Sequence, residues 1–265
     1  MKLQRVRSAL RVILCTFEMT LRQNVLDSFI LFTILVQPVL IALLAIWMLR
    51  EQAAEHAIFI VIGSGMTGLW SSLLFISGNS INVERWTGTL ENLVASPTPL
   101  PWVILGKNLA HVTQSLASMV LSYFLAALIF NLKLNIVYPG AFVLSLFLTV
   151  LAFVSFGAII APIFVMNPGV QGFQNALEFP IYILCGFLFP IAMLPGWTTP
   201  FSYALSPYWA ARALHGTSSG ALDLSEVLFS WLMLVLFSVG SALLSAFLFR
   251  VLLQKARREA TLGLE

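Results

Sequence analysis

Three short patterns in this sequence have the residue types and spacing that chemistry requires. Gly63, Gly65 and Gly68 fit G-x-G-x-x-G, which binds a dinucleotide when it follows a strand and opens a helix. Residues 216–220 fit G-x-S-x-G, the turn that presents a nucleophilic serine above a sheet. Gly106-Lys107 has the two residues that end a phosphate-binding loop. Whether any pattern is chemical depends on the elements around it.

The surroundings argue against all three. The first pattern lies inside an apolar run, where small residues allow helices to pack closely. Residues 216–220 lie in a polar segment, which we interpret as a flexible linker. Pro101 stands where a phosphate-binding loop needs its first glycine. We therefore assign no catalytic residue and no nucleotide to this chain, and its cysteines and histidines predict no metal site.

The composition explains why the strands and loops that these patterns require are missing. Of the 265 residues, 59% are hydrophobic and only 9% are charged, whereas a soluble domain carries roughly 25% charged residues. A chain so poor in charge must expose much of its surface to lipid. The sequence predicts a multi-pass membrane protein with membrane lipids around it, and the net charge of +3 does not suggest a nucleic acid partner.

Charge-free runs of about 20 residues locate the spans. We predict an all-α membrane protein with six transmembrane helices within residues 28–250. Asn167-Pro168-Gly169 divides one very long run, and prolines after Phe189 interrupt another. The predicted spans are residues 28–49, 57–83, 108–132, 139–166, 172–189 and 227–249.

The loop charges predict the orientation. With the N-terminus inside, eleven of the 14 Lys and Arg residues fall in cytoplasmic segments, which places both termini in the cytoplasm. In residues 1–27, apolar and charged stripes recur at helical spacing. They predict an amphipathic helix in the cytoplasmic interface, although a basic tail would satisfy the same charge rule. Residues 251–265 are expected to be a cytoplasmic tail.

The cytoplasmic segment at residues 84–97 is the most informative. Thr87 or Thr89 is a plausible N-cap for a short helix that Ser96-Pro97 would end. Prolines 97, 99 and 101 are expected to keep the return path extended. A short helix tied to two spans is suited to pass motion from a soluble partner into the membrane.

This segment carries a family resemblance. It has the form Glu-Arg-x-x-Gly-Thr-Leu-Glu-x-Leu-x-x-Ser-Pro, followed about ten residues later by Gly-Lys. The pattern resembles the cytoplasmic loop of type-2 ABC transporter permeases. The resemblance implies that this loop contacts the ATPase, through Glu84, Arg85, Gly88, Thr89, Leu90, Glu91, Leu93, Ser96, Pro97, Gly106 and Lys107.

A second block, before the last span, is also similar to this family. Residues 190–215 would then form re-entrant helices that gate the external exit, with Ser206 at a position where the family often has Asn. The matching residues are Gly186, Pro190, Pro195, Trp197, Pro207 and Arg212.

The family resemblance implies a concrete function. The chain would be a subunit of a homodimeric exporter in the bacterial inner membrane, with two permeases on two cytoplasmic ABC ATPase subunits. ATP and Mg would be bound by the partner ATPase, so this chain would not be an enzyme and would bind no cofactor. The implied substrates are amphipathic or lipid-like: drugs, lipids, lipid-linked glycans or polysaccharides.

Glu178 is the only carboxylate well inside a predicted span. It would line the translocation path or an intersubunit contact, or it would lie near the cytoplasmic interface where water reaches it. Two other functions remain open. One is a lipid- or haem-handling assembly factor or enzyme that does not pump, and the other is an ion-coupled carrier. Both usually need several ionisable residues facing one cavity, and only Glu178 qualifies.

Overall fold

The apolar runs of the sequence fold into helices. The computed structural model describes residues 2–32, 36–48, 53–77, 84, 87–89, 100–130, 136–166, 174–188, 191–220 and 222–259, and these contain no strand. A π-helical turn at Ser72–Ser77 continues α4, and 3-10 turns lie at Ile191–Met193 and Gly196–Thr198. The α-helices are α1 (Lys2–Leu26), α2 (Ser28–Leu31), α3 (Gln37–Met48), α4 (Ala53–Ser71), α5 (Leu100–Phe130), α6 (Pro139–Met166), α7 (Gln174–Leu184), α8 (Thr199–Tyr203), α9 (Ser206–Ser219) and α10 (Leu224–Glu259).

Among the described residues, four helical stretches are long and apolar enough to cross a membrane. They are Ile58–Phe75, Leu100–Ile129, Pro139–Ile160 and Leu224–Leu252. The prediction of an all-helical, multi-pass membrane protein is therefore confirmed. The predicted spans 28–49 and 172–189 correspond to shorter helices, α2 with α3 and the 11-residue α7. The count of six spans stays a prediction.

The start of α5 differs from the prediction. Residues 100–107 are helical rather than extended, so the helix begins eight residues before the predicted span. Pro101 is tolerated because the amide groups of a helix's first turn have no intrahelical partner. The prediction of an extended return path was wrong for this part. The last helix, α10, is also longer than predicted, and it runs from Leu224 to Glu259.

Helix α4 lies at the centre of the packing. Its three glycines each meet a different neighbour: a Cβ on Gly63 would overlap the carbonyl oxygen of Phe187, and one on Gly65 would overlap Met119. A Cβ on Gly68 would lie 2.5 Å from Pro38 Cγ. The prediction that these glycines serve close helix packing is confirmed, because each lets another segment approach the α4 backbone.

Helices α6 and α10 run parallel to each other. Trp231 Nε1 donates to Ser145 Oγ at 2.8 Å, and Ser245 Oγ donates to the carbonyl of Ala158 at 2.9 Å. From the first hydrogen bond to the second, the residue number rises by a similar amount on α6 and on α10. The two helices must therefore run in the same direction. The chain between the two helices must therefore return to the end at which α6 begins.

The segment 216–220 is not the flexible linker that its composition suggested. It forms the last turn of α9, and Gly220 ends that helix in the left-handed conformation with φ 69°. Thr217 and Ser218 are buried, and their hydroxyls donate to backbone carbonyls of the same helix. Their own carbonyls accept the amides of Tyr138 and Val137, so this turn holds the start of α6.

Candidate functional site

The described part of the predicted coupling segment is a tight turn after α4. The Thr89 amide donates to the Glu84 carbonyl at 2.9 Å, and Gly88 between them has φ 69°. A bond spanning five residues, with a left-handed glycine before its donor, is a Schellman helix end. The glycine of the family pattern is thus needed because a Cβ would strain this conformation. The hydroxyls of Thr87 and Thr89 both turn back to Glu84 rather than forward.

Glu84 also binds the start of α5. Lys107 Nζ lies 2.5 Å from Glu84 Oε1, while the Thr89 hydroxyl donates to Oε2 of the same carboxylate. The two side chains of the ion pair are only 22% and 14% exposed. Burial would raise the pKa of Glu84, but the hydrogen bonds from Lys107 and Thr89 and the charge of Lys107 outweigh it and hold the pKa below its ordinary value. The carboxylate is therefore charged at neutral pH.

Helix α1 packs on the same end of α5. A Cβ on Gly106 would lie 2.7 Å from the carbonyl oxygen of Ile13, so glycine is required where the two helices cross. Farther along, Asn24 Nδ2 donates to Gln114 Oε1 at 2.6 Å and lies 3.0 Å from His111 Nδ1. Gly106 and Lys107 thus make separate contacts: Gly106 packs against α1, and Lys107 binds Glu84.

The structure brings together four of the eleven predicted coupling residues: Glu84, Thr89 and Lys107 are in contact, and Gly88 shapes their turn. Gly106 lies next to Lys107 but faces α1. The remaining predicted residues lie outside the described part of the chain, namely Arg85, Leu90, Glu91, Leu93, Ser96 and Pro97.

Glu178 lies on α7 in a buried polar cluster, with 6% of its surface exposed. Ser71 Oγ donates to its Oε1 at 2.5 Å, and the Tyr182 hydroxyl donates to the same oxygen at 2.6 Å. The two hydroxyl oxygens are themselves 2.5 Å apart, and the Tyr182 hydroxyl is 3.3 Å from the Thr67 carbonyl. We call these residues, Ser71, Glu178 and Tyr182, the α4–α7 cluster. It links α7 to α4 and lies within the subunit.

The residues predicted for the external gate lie in two environments. Gly186 takes φ 67° in the turn after α7, while Pro195 and Trp197 are exposed. Pro207 is buried in the first turn of α9. On the same helix Arg212 pairs with Glu226 at 3.2 Å and lies 5.8 Å from the Trp209 ring centroid. Pro190 is outside the described residues.

Several residues in these contacts were not expected from the sequence. Asn24, His111 and Gln114 tie α1 to α5, although α1 was predicted to lie at the interface through its apolar stripe. Ser71 and Tyr182 complete the α4–α7 cluster. Tyr182 follows Glu178 by four residues, a spacing that places both on one face of a helix, and this was the available signal.

A known family matches most of the chain. The family described as ABC-2 type transporter matches residues 13–218, more than three quarters of the chain, from the α1–α5 contact to the end of α9. No curated protein matches the sequence. The chain belongs to the ABC-2 type transporter family, and it is a transporter permease.

Proposed function

We propose that this permease is the membrane subunit of an ABC exporter that moves an amphipathic or lipid-like substrate outward. The ATP would be hydrolysed, with Mg, by a separate cytoplasmic ATPase subunit. The observation that carries the proposal is the contact between Glu84 and Lys107, which joins the two ends of the predicted coupling segment.

This contact would let the coupling segment pass force to two helices at once. The Schellman turn at residues 84–89 follows α4 in the chain, and the ion pair fixes that turn to the first turns of α5. The described residues that flank the rest of the segment, Thr89 and Leu100, are therefore joined through the Glu84–Lys107 pair. A force applied by an ATPase to this segment would move α4 and α5 as a pair, and α1 would follow through Gly106 and Asn24.

The α4–α7 cluster supports the next step. Its hydrogen bonds connect the last turn of α4 to α7, which precedes residues 191–219 in the chain. Motion of α4 would thus reach the segment proposed to gate the exit. The exporter does work only if the substrate binds the two conformations with different affinity.

The helix directions support six spans. Because α6 and α10 are parallel, the chain between them makes an odd number of crossings, and α7 is the helix available for one. With six spans, the Glu84–Lys107 contact would lie on the cytoplasmic side with both termini, as the charge distribution favours. The membrane would be the bacterial inner membrane, and two permeases would assemble on two ATPase subunits.

Copurification is the first experiment. The tagged permease, extracted from its own membranes in mild detergent, is expected to retain a protein with a G-x-x-x-x-G-K-[ST] motif in a ratio of two to two. Isolation of the permease without any ATPase, under several mild detergents, would argue against the proposal.

The second experiment separates docking from coupling. Glu84→Ala and Glu91→Ala are expected to abolish the stimulation of ATP hydrolysis while leaving membrane insertion intact. Glu18→Ala is the matched control, because Glu18 is an exposed glutamate whose ion pair is with Arg22 of its own helix. Normal stimulation in both test variants would contradict the coupling assignment.

A further inference from the structure

A groove lies between α6 and α10. It encloses a cavity of about 420 Å³, whose walls include Phe156 and Ile159 of α6 and Met233, Phe237 and Leu244 of α10. The junction between α8 and α9 closes one end through Ser206. The groove takes no part in the contacts proposed for coupling.

The groove follows the face of α10 from Met233 to Leu244, beside two hydrogen bonds that join α6 and α10. Their hydrogen bonds at Ser145–Trp231 and Ala158–Ser245 hold the helices together at two levels. Between these levels stands Gly240, where a Cβ would meet no atom within 4 Å. The missing side chain leaves room that neighbouring side chains do not fill, whereas protein interiors are normally close-packed.

The groove opens on a surface that faces lipid. Leu236 and Leu244, on its walls, are 56% and 47% exposed, and both helices contain candidate membrane spans. Water is absent from the hydrocarbon core of a bilayer, so an apolar groove there is filled by apolar chains. The wall between Met233 and Leu244 extends over about 16 Å of helix.

Ser206 and Ser241 are the polar residues of this otherwise apolar wall. Ser206 is 4% exposed, and its Oγ has no hydrogen-bond partner among the described residues. A buried hydroxyl without a partner is costly. Ser206 is also the first residue of the 14-residue α9, which has no side-chain cap, so the partial positive charge of the helix start favours an oxygen acceptor there.

The end of the groove at Ser206 adjoins an aromatic and charged cluster. Trp209 lies one turn farther along α9, contacts Phe229 of α10 at 5.4 Å between ring centroids, and lies beneath Arg212. Aromatic rings with a nearby cation are typical of the level at which lipid headgroups lie. The opposite end of the groove, at Leu244, lies past the middle of the candidate span Leu224–Leu252.

We propose that the groove holds one acyl chain of a bilayer phospholipid, with the ester carbonyl oxygen accepting a hydrogen bond from Ser206 Oγ. The walls carry no Lys or Arg, so they offer no counter-ion to the carboxylate of a free fatty acid, whereas an ester is neutral. The lipid is a bound component of the permease rather than its cargo.

Photochemical labelling in nanodiscs tests this site. Phosphatidylethanolamine with a diazirine in one acyl chain is incorporated with the permease, irradiated, and the adducts are located by mass spectrometry. We expect adducts concentrated on the groove wall between Met233 and Leu244. Adducts spread evenly over the exposed face of α10 would show ordinary surrounding lipid only and would overturn the proposal.

Two substitutions and a matched control sharpen the result. Gly240→Phe fills the groove and is expected to lower labelling about tenfold, while Val239→Phe adds the same ring beside it on the 55% exposed lipid face and leaves labelling unchanged. Ser206→Ala removes the hydrogen bond and is expected to lower labelling about fivefold. Equal labelling of wild type and Ser206→Ala would overturn the role of Ser206, even if Gly240→Phe does not fold.

The same experiment distinguishes the occupant. A free fatty acid with the same diazirine is expected to label the groove far less than the phospholipid does at equal concentration. Stronger labelling by the fatty acid would overturn the phospholipid assignment. A photoreactive residue in place of Leu236 that crosslinks to a second permease would overturn the assignment in favour of a protein contact.

Discussion

Two carboxylates flank α4, and they are held in opposite ways. Glu84 lies beyond the end of the helix, partly exposed, with a cationic partner in Lys107. Glu178 is buried against the last turn of the helix, where two hydroxyls donate to it and none of the ion pairs among the described residues includes it. Partly exposed ion pairs contribute little to stability, whereas an unsatisfied buried group is costly.

The contrast indicates a division of roles. The contacts around Glu178 should govern whether α4 and α7 stay packed, and changes there should therefore affect stability. The contacts of Glu84 should govern how movement of the coupling segment is passed to the membrane helices. Changes there should affect coupling with little change in stability. The predictions below test this division, beginning with the largest expected effect on stability.

The closest packing on the Glu178 side is at Gly63. Alanine there would overlap the backbone carbonyl of Phe187, which cannot move like a flexible side chain. We expect Gly63→Ala to lower the free energy of unfolding by about 3 kcal/mol or more, measured as a lower Tm in detergent. Gly140→Ala is the control, because a Cβ there meets nothing within 4 Å. An equal Tm for both variants would show that α4 and the turn after α7 are not in contact.

The α4–α7 cluster gives the next largest effect. Glu178→Ala leaves the hydroxyls of Ser71 and Tyr182 without their acceptor and is expected to destabilise the permease by about 1–3 kcal/mol. Glu178→Gln keeps an acceptor oxygen and should retain most of the stability. If Glu178→Gln lowered the Tm as much as Glu178→Ala, the negative charge rather than the hydrogen bonds would hold the cluster.

A smaller stability effect is expected on the Glu84 side. Glu84→Gln weakens a pair whose side chains remain partly exposed, so the loss should stay within about 1 kcal/mol. Melting curves of this variant beside Glu178→Ala compare the two regions directly. A larger loss for Glu84→Gln than for Glu178→Ala would reverse the proposed division.

The smallest effect concerns pH. The pKa of Glu84 is lowered by folding, so its contribution is complete above the ordinary carboxyl pKa and is lost as the pH falls through the lowered value. The difference in Tm between wild type and Glu84→Gln should stay constant from about pH 8 to about pH 6 and shrink only in acid. A difference that already changes near pH 7 would mean that Glu84 is not held as a charged partner of Lys107.

The spans were predictable where helix-breaking residues stand at their ends. Helix α6 occupies residues 139–166 as predicted, because Pro139 opens it and Asn167-Pro168-Gly169 follows it. The start of α5 was missed because Pro101 signals an extended chain as well as a helix's first turn. The π-helical turn at Ser72–Ser77 leaves no mark in the apolar pattern.

The contacts of the site were less accessible from the sequence. The local pattern around Glu84 and Lys107 indicated a shared function, but not that the two side chains touch across 23 residues. Residues 216–220 looked like a linker because small polar side chains suit loops, yet their hydroxyls donate to their own helix and allow burial. Such local hydrogen bonds depend on which face of the helix the fold covers.

The central claim is that Glu84 and Lys107 transmit motion by holding two ends of one segment together. ATP hydrolysis by the assembled complex in nanodiscs tests it, with Glu84→Lys, Lys107→Glu and the double exchange compared with wild type. We predict that each single exchange lowers the stimulated rate at least tenfold and that the double exchange restores at least half of it, with the ATPase bound in every case. Single exchanges that keep the wild-type rate, or a double exchange no more active than either single one, would contradict the account.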